Sequence, residues 1–298
     1  MMIIRYLDEV GQATVGLESD GQVRPLRGWD TIAQLLRSPA AEMRTACART
    51  EEPAVEVSGV RLLPPVDSRM EVWAAGVTYR RSRQARVQES DHAADVYELV
   101  YEAARPELFF KSAAWRVTGH GEQVSIRRDS DINVPEPELA VVLNADGELV
   151  GYTICNDVSS RSIEGTNPLY LPQAKTYLGS CAVGPGIRPV WEVPDPYDLE
   201  IEMSIRRRGS VIWEASASTS ELHRKLDDLA EYLFREDAFP DGVVLSTGTS
   251  LVPELPMTLL AGDSVQIRID QVGTLTSQVC HGKDHMGWLV DGRVRSAT

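Results

Sequence analysis

No apolar run in this chain approaches the roughly 18 to 20 residues that a membrane-spanning helix needs. The N-terminal stretch MMIIRYLDEV has no basic region followed by a hydrophobic signal core. Positive charge is in short supply: 30 Lys and Arg stand against 44 Asp and Glu, for a formal charge of -14. That balance opposes unspecific attraction to nucleic acid or to an anionic bilayer, so neither is expected as a partner. Cys47, Cys155, Cys181 and Cys280 form no CxxC pair. Scattered thiols fit a reduced compartment better than a disulfide framework, and the expected location is the cytoplasm. The glycines of GSCAVGPG do not follow the dinucleotide fingerprint, no P-loop occurs, and there is no internal repeat.

What is present suits an ordinary globular protein. The 298 residues, 43% of them hydrophobic, can bury a sizeable core as one large domain with a small appendage. Residues 1 to 65 alternate strand-like runs (MIIRYL, ATVGLES, QVRPL) with turns, add one short helix after Asp30, and close at Pro64-Pro65. A small β-rich N-terminal domain over 1–65 and a catalytic domain over 66–298 are expected. The second part is rich in strands and has two helices. One lies within Arg80 to Arg105 on a stripe of Val96, Leu99, Val100 and Ala103, ended by Pro106. The other opens with the capping-box pattern Ser218-Thr219-Ser220-Glu221 and carries Leu222, Leu226, Leu229, Leu233 and Phe234 on one face. Few helices and no regular βαβ alternation predict a mainly β, or α+β, architecture.

The stretch INVPEPELAVVLNADGELVGYTICNDVSSRS reads as a hairpin flanked by carboxylates. With Asp146-Gly147 as a two-residue turn, Glu138 faces Cys155 and Glu136 faces Asp157. A four-residue loop from Asn144 to Gly147 would move Asp157 one pair further, still on the same face. Residues two apart on a strand, and residues opposite each other, share a side, so Glu136, Glu138 and Asp157 converge. Three carboxylates so close repel one another unless a cation offsets them. Oxygen ligands without His or Cys favour Mg²⁺, Mn²⁺ or Ca²⁺ over Zn²⁺. From spacing alone, a solvated acidic rim is an equal alternative.

These residues resemble the fumarylacetoacetate hydrolase superfamily, whose members carry Glu-x-Glu at a strand start and an Asp after the following strand as Mg²⁺ ligands. GVTYRRSRQAR is similar to the family's Gly-x-Asn-Tyr opening, RPELFFKSAAW to its Pro-x-x-Phe-x-Lys strand, and QAKTYLGSCAVGPGI to its Lys segment before Gly-Pro. LSTGTSLVP and AGDSVQIRIDQVGTLTSQV resemble its closing signature. The likeness runs in order over roughly residues 70 to 280. It implies a mixed β-sheet roll, bound Mg²⁺, and a homodimer or homotetramer.

One departure bears on mechanism. Hydrolases and decarboxylases of the superfamily often place a His three residues after the Tyr of the opening motif; here that position is Ser82, and His92 is ten residues on. The long Arg80 to Arg105 segment resembles instead the branch of 2-keto-3-deoxy-D-arabinonate dehydratase and related sugar acid dehydratases. A lyase acting on a small 2-keto acid is the implied function. Metal coordination by the adjacent carboxylate and ketone would acidify the C3 protons by stabilising an enolate, and loss of the C4 hydroxyl follows. An acylpyruvate hydrolase or oxaloacetate decarboxylase, and a binding module without turnover, remain the alternatives.

The resemblance assigns Glu136, Glu138 and Asp157 as metal ligands and Lys175, Lys111 and Arg83 as the basic positions facing substrate. Glu107 is the expected base, although it, Phe109 and Lys111 share one strand face, so Phe109 must line the site as well. Lys175 is the alternative base. Thr249, the amides of Gly248 and Thr249, and Tyr79 are candidate substrate contacts, and Arg161 is expected to pin the metal-binding carboxylates. His281 and His285 in CHGKDH, and the run Arg206 to Arg208, read as solvated segments.

Overall fold

The computed structural model of the protein describes residues 1–49, 54–80 and 94–292. The chain opens with an antiparallel meander of β1 (Met2–Leu7), β2 (Ala13–Ser19) and β3 (Gln22–Pro25). Helices α1 (Ile32–Leu36) and α2 (Ala40–Cys47) and the short strands β4 (Val55–Glu56) and β5 (Arg61–Leu63) follow. Next come β6 (Glu71–Gly76), α3 (Ala94–Glu102), β7 (Glu107–Ala113), β8 (Gln123–Ile126), β9 (Asn133–Val134), β10 (Pro137–Leu143) and β11 (Leu149–Asp157). After β12 (Ser159–Ser160), α4 (Arg161–Thr166) and α5 (Leu171–Lys175) lead into β13 (Cys181–Pro189). The chain finishes with β14 (Glu200–Arg207), β15 (Ser210–Ser218), α6 (Leu226–Phe234), β16 (Val243–Ser246), β17 (Ser264–Ile269), β18 (Gly273–His281) and α7 (Gly287–Val290).

These strands make an 11-stranded sheet ordered β4-β3-β2-β1-β13-β11-β10-β16-β6-β7, with β5 on β1, and a five-stranded sheet ordered β15-β14-β17-β18-β8. Both are mixed, since β16–β6 and β18–β8 run parallel. The architecture is thus the mainly β, mixed-sheet fold expected. The N-terminal meander does not stand apart from the large sheet: β1 pairs with β13, Ile3 opposite Ile187. Asp67 fastens it further, accepting from the amides of Ile32 (2.9 Å) and Ala33 (3.0 Å) at the start of α1 and lying 3.2 Å from Arg5 Nε.

Strand β10 is buried along its whole length because both faces have partners. Leu139, Val141 and Leu143 join the core beneath the five-stranded sheet, with Ile201, Ile267 and the α6 leucines. Ala140 and Val142 join the core formed with Ile3, Leu35, Leu36 and Met43 of the N-terminal unit. A strand covered on both sides reads as a continuous apolar run, and this one does.

Two helix expectations need correction. The Ser218 capping pattern opens no long helix: its hydroxyl accepts from Ser220 N in a single 3₁₀ turn, and α6 starts only at Leu226. Leu222 is drawn off instead into a β-bridge with Tyr79, and His223 N donates to Thr78 O (2.9 Å). In α3, Leu99 is 71% exposed, whereas Val100 and Tyr101 pack on Val77. Tyr101 stacks on His223 at 4.3 Å, and Arg224 binds the carbonyls of Val100 and Tyr101, which sets how the helix is rotated. The stripe residues Leu226, Leu229 and Leu233 of α6 are buried as expected.

Candidate active site

The carboxylate hairpin keeps the expected register by an unexpected route. Its loop is longer than the two-residue turn: Asn144 N donates to Glu148 O (3.0 Å) and Gly147, at φ 79°, donates to Asn144 O (3.1 Å). Leu143 pairs with Leu149 but Val142 pairs with Gly151, leaving Val150 as the extra residue of a bulge. The bulge resets the offset from the loop. Glu138 therefore faces Cys155, and Asp157 N donates to Glu136 O (2.9 Å).

Ligand oxygens of Glu136, Glu138 and Asp157 all lie within 4.8 Å of one another. Oxygens on opposite sides of a hard cation at about 2.1 to 2.4 Å are about 4 to 5 Å apart, so the set fits such an ion. The three are only 3%, 2% and 1% exposed, which rules out the solvated acidic rim. Burial, with Asp157 and Glu136 adding to it, pushes the Glu138 carboxyl well above the usual carboxylate range, against the pull of Lys175.

Buried charges need partners, and these have them. Lys175 Nζ donates to Glu136 Oε2 (2.9 Å), Asp157 Oδ2 (2.8 Å) and Ser159 Oγ (2.6 Å). Lys111 Nζ stands 2.5 Å from Asp157 Oδ1 and donates to the carbonyls of Val158 (3.1 Å) and Lys175 (2.6 Å). Arg161, the first residue of α4, holds Glu136 Oε1 at 2.9 Å. Glu138 Oε2 accepts from Ser246 Oγ (2.5 Å) and from Gly248 N (2.8 Å). Three cations thus match three carboxylates before any metal enters.

The same cavity is lined by Gly76, Glu107, Phe109, Glu164, Gly248 and Thr249 beside the carboxylates, Arg161 and Lys175. Glu107 lies against the backbone of its pairing partner Gly76, where an added Cβ would sit 2.0 Å from Glu107 Oε2. Phe109 does line the site, its ring 5.7 Å from Lys175 Nζ. Lys111 is fully buried behind Asp157 and is not part of the lining. Tyr79 is also fully buried and outside the lining, and burial, then Glu138, raises its hydroxyl pKa. The Gly248 amide serves Glu138 rather than the open cavity. Thr249 Oγ1 is engaged with both the N–H and the carbonyl of Leu251 (3.1 Å each). Ser82, Arg83 and His92 lie outside the described residues. His281 and His285 are exposed, and among the described residues the carboxylate triad is the one group with metal-ligand geometry. Of the arginine run, Arg206 and Arg208 are exposed as expected, and Arg207, half-buried, grips Asp263 through two bonds of 2.8 Å.

Three polar groups escaped the sequence reading. Ser159, two residues past Asp157 in an extended segment, shares its side and was open to the same alternation argument. Glu164 lies one helical turn beyond Arg161 behind the Ser160 cap, whose Oγ accepts from Ile163 N. Ser246 arrives through the non-local pairing Ala140 to Ser246, for which no local signal exists.

The model for the fumarylacetoacetate (FAA) hydrolase C-terminal domain matches residues 71–280. The chain belongs to this family. Within it, a probable 2-keto-3-deoxyxylonate dehydratase of Haloferax volcanii is 51% identical over 215 residues, 72% of this chain and 73% of that protein. The 2-dehydro-3-deoxy-D-arabinonate dehydratase of Saccharolobus solfataricus is 44% identical over 228 residues, 75% of this chain and 76% of that protein. A solved 2-keto-3-deoxy-D-arabinonate dehydratase complexed with magnesium and 2,5-dioxopentanoate superposes at a TM-score of 0.81 and 34% identity, covering 94% of this chain and 99% of that one. The chain thus shares its fold with a solved dehydratase and most of its length with dehydratase relatives.

Proposed function

We propose that this protein is a metal-dependent hydro-lyase that dehydrates a 2-keto-3-deoxy sugar acid, with a pentonate such as 2-keto-3-deoxy-D-arabinonate the first candidate. The observation that carries the reading is the buried triad Glu136, Glu138 and Asp157 with Glu107 in the same cavity. The 51% and 44% identical relatives support the substrate class. Loss of water from a 2-keto-3-deoxypentonate leaves a compound isomeric with 2,5-dioxopentanoate, the ligand of the superposed dehydratase.

The triad would hold Mg²⁺, with Mn²⁺ or Ca²⁺ as other hard cations of suitable size, and three carboxylates are fewer ligands than such ions take, so substrate oxygens and water could complete the set. When bound, the ion supplies Lewis acidity that favours removal of a proton next to the ketone. The rest falls to side chains. Glu107 takes the C3 proton from its position over Gly76. Lys175, Lys111 and Arg161 hold the ligand carboxylates in place; with the three ammonium hydrogens of Lys175 bonded and Lys111 ion-paired to Asp157, neither lysine is poised as a base. Thr249, in the cavity lining, faces the substrate carboxylate.

All the cavity residues lie past residue 66, which supports residues 66–298 as the catalytic domain and 1–65 as a small domain fused to its sheet. The four cysteines are buried free thiols, in keeping with a cytoplasmic enzyme. Edge strand β15 exposes Val211 and Ile212, which supports a homodimer or homotetramer, and the relatives' substrates support a sugar acid catabolic role.

The test is turnover of a panel of 2-keto-3-deoxy pentonates and hexonates by metal-stripped protein with and without Mg²⁺, followed by NMR. Mg²⁺-dependent loss of water is the expected result. Cleavage of acylpyruvates or decarboxylation of oxaloacetate in its place would sink the dehydratase reading, as would binding without any product.

A further inference from the structure

Dehydration moves two protons, one off C3 and one onto the departing C4 hydroxyl. A search of the cavity for groups able to exchange protons leaves a short set. Lys175 has its three donors engaged at 2% exposure, and Lys111, 0% exposed and outside the lining, is ion-paired to Asp157 and bonded to two carbonyls. Arg161 does not release a proton at any ordinary pH. Glu136, Glu138 and Asp157 form the ligand set, and the Thr249 hydroxyl is tied to Leu251. Among the described residues lining the cavity, Glu107 and Glu164 remain.

They come from different elements, Glu107 from the edge strand β7 and Glu164 from helix α4. Glu164 is 3% exposed, and its position is tied to the metal site. Ser160 caps α4, Arg161 clamps Glu136 at 2.9 Å, and residues three apart on a helix share a face, so Glu164 is carried to the cavity on the Arg161 side.

We propose that Glu164 is the second proton-transfer residue, delivering the proton to the hydroxyl that leaves C4. The inference rests on the dehydratase reading and extends it. Glu107 takes the C3 proton, and the electron pair of that bond moves toward the ketone. As the ketone re-forms, the pair makes the C3–C4 double bond and the C4–O bond breaks with its electrons on oxygen. The proton of Glu164 joins that oxygen and water departs. Exchange with solvent then returns Glu107 to the carboxylate and Glu164 to the acid.

The experiment uses the full chain loaded with Mg²⁺ and the 2-keto-3-deoxypentonate that the wild type dehydrates fastest, in D₂O, with an enzyme-free control. NMR follows both dehydration and deuterium entry at C3 of unreacted substrate. Glu164→Gln is expected to slow dehydration by about 100-fold or more, the usual span for an acid or base. Its remaining substrate should still gain C3 deuterium faster than the control. Glu164→Asp should recover part of the rate, and Glu107→Gln should lose both signals. Mn²⁺ affinity by calorimetry should stay within about threefold of wild type in Glu164→Gln, showing the triad intact. Dehydration by Glu164→Gln within about threefold of wild type would overturn the assignment. So would loss of exchange together with dehydration, or exchange surviving in Glu107→Gln but not in Glu164→Gln. A wild type that binds Mn²⁺ yet dehydrates no acid of the panel would overturn the dehydratase reading itself, and this assignment with it.

Discussion

Lys175 Nζ stands 2.8 Å from Asp157 Oδ2, on one of the three carboxylates of the triad. The same ammonium stands 2.9 Å from Glu136 Oε2, so it touches two of the three ligands. Removing one partner of a buried pair typically costs about 3–5 kcal/mol, because the remaining charge is left without compensation. Lys175→Met is therefore expected to lower the stability of metal-stripped protein by about that amount in urea denaturation. Saturating Mg²⁺ should restore more stability to the variant than to the wild type. An apo stability unchanged by the substitution would mean the ammonium is not neutralising the triad.

Glu138 is the triad member within β10, fixed by Ser246 and Gly248. Glu138→Gln keeps the shape but removes a charged ligand. Mg²⁺ affinity measured by calorimetry is expected to fall by more than about 100-fold, beyond the 10- to 100-fold typical of groups that only support a ligand. Mg²⁺-dependent dehydration should vanish with it. Undiminished affinity would move the metal elsewhere.

Gly76 is needed for space. A methyl group there would meet Glu107 Oε2 at 2.0 Å, so Gly76→Ala must push the carboxylate aside. A displacement of about 1 Å at a reacting group can cost about 100-fold in rate. The expected variant folds, binds Mg²⁺ as the wild type does, and loses about 100-fold in kcat. A kcat within threefold of wild type would remove Glu107 from the chemistry.

Asp241 joins the two parts of the chain, accepting from Arg37 at the end of α1 (2.7 Å) and from Arg69 (3.1 Å) ahead of β6. The Arg69 hydrogen bond, with that of Arg37, lowers its pKa from 3.8 to about 2. A carboxyl whose folded pKa is depressed contributes stability above its unfolded pKa and loses it as pH falls through the folded value. The contribution, about 2 kcal/mol, should be intact above pH 4 and decline between about pH 4 and 2. Asp241→Asn should flatten that part of the stability profile relative to wild type. Parallel profiles would assign the acid sensitivity to other groups.

Much of this protein was legible before any coordinates. Alternation along the two paired strands was enough to put Glu136, Glu138 and Asp157 on one side, because strand periodicity is a local rule, whereas the longer loop and the Val150 bulge that together restore the register were not foreseen. The leucine face of α6 and the mixed, mainly β architecture follow from the same short-range patterns. Only the tertiary structure decided what surrounds those elements. Lys111, 46 residues before Asp157, and Ser246, 108 residues after Glu138, reach the triad through sheet pairings that no local window contains. The same long-range contacts rotated α3 to expose Leu99, drew Leu222 out of its helix toward Tyr79, and set Glu164 in the cavity through the Arg161 clamp. Local sequence specifies which groups share a face; which face is buried, and which charge meets which, is set by segments that are neighbours only after folding.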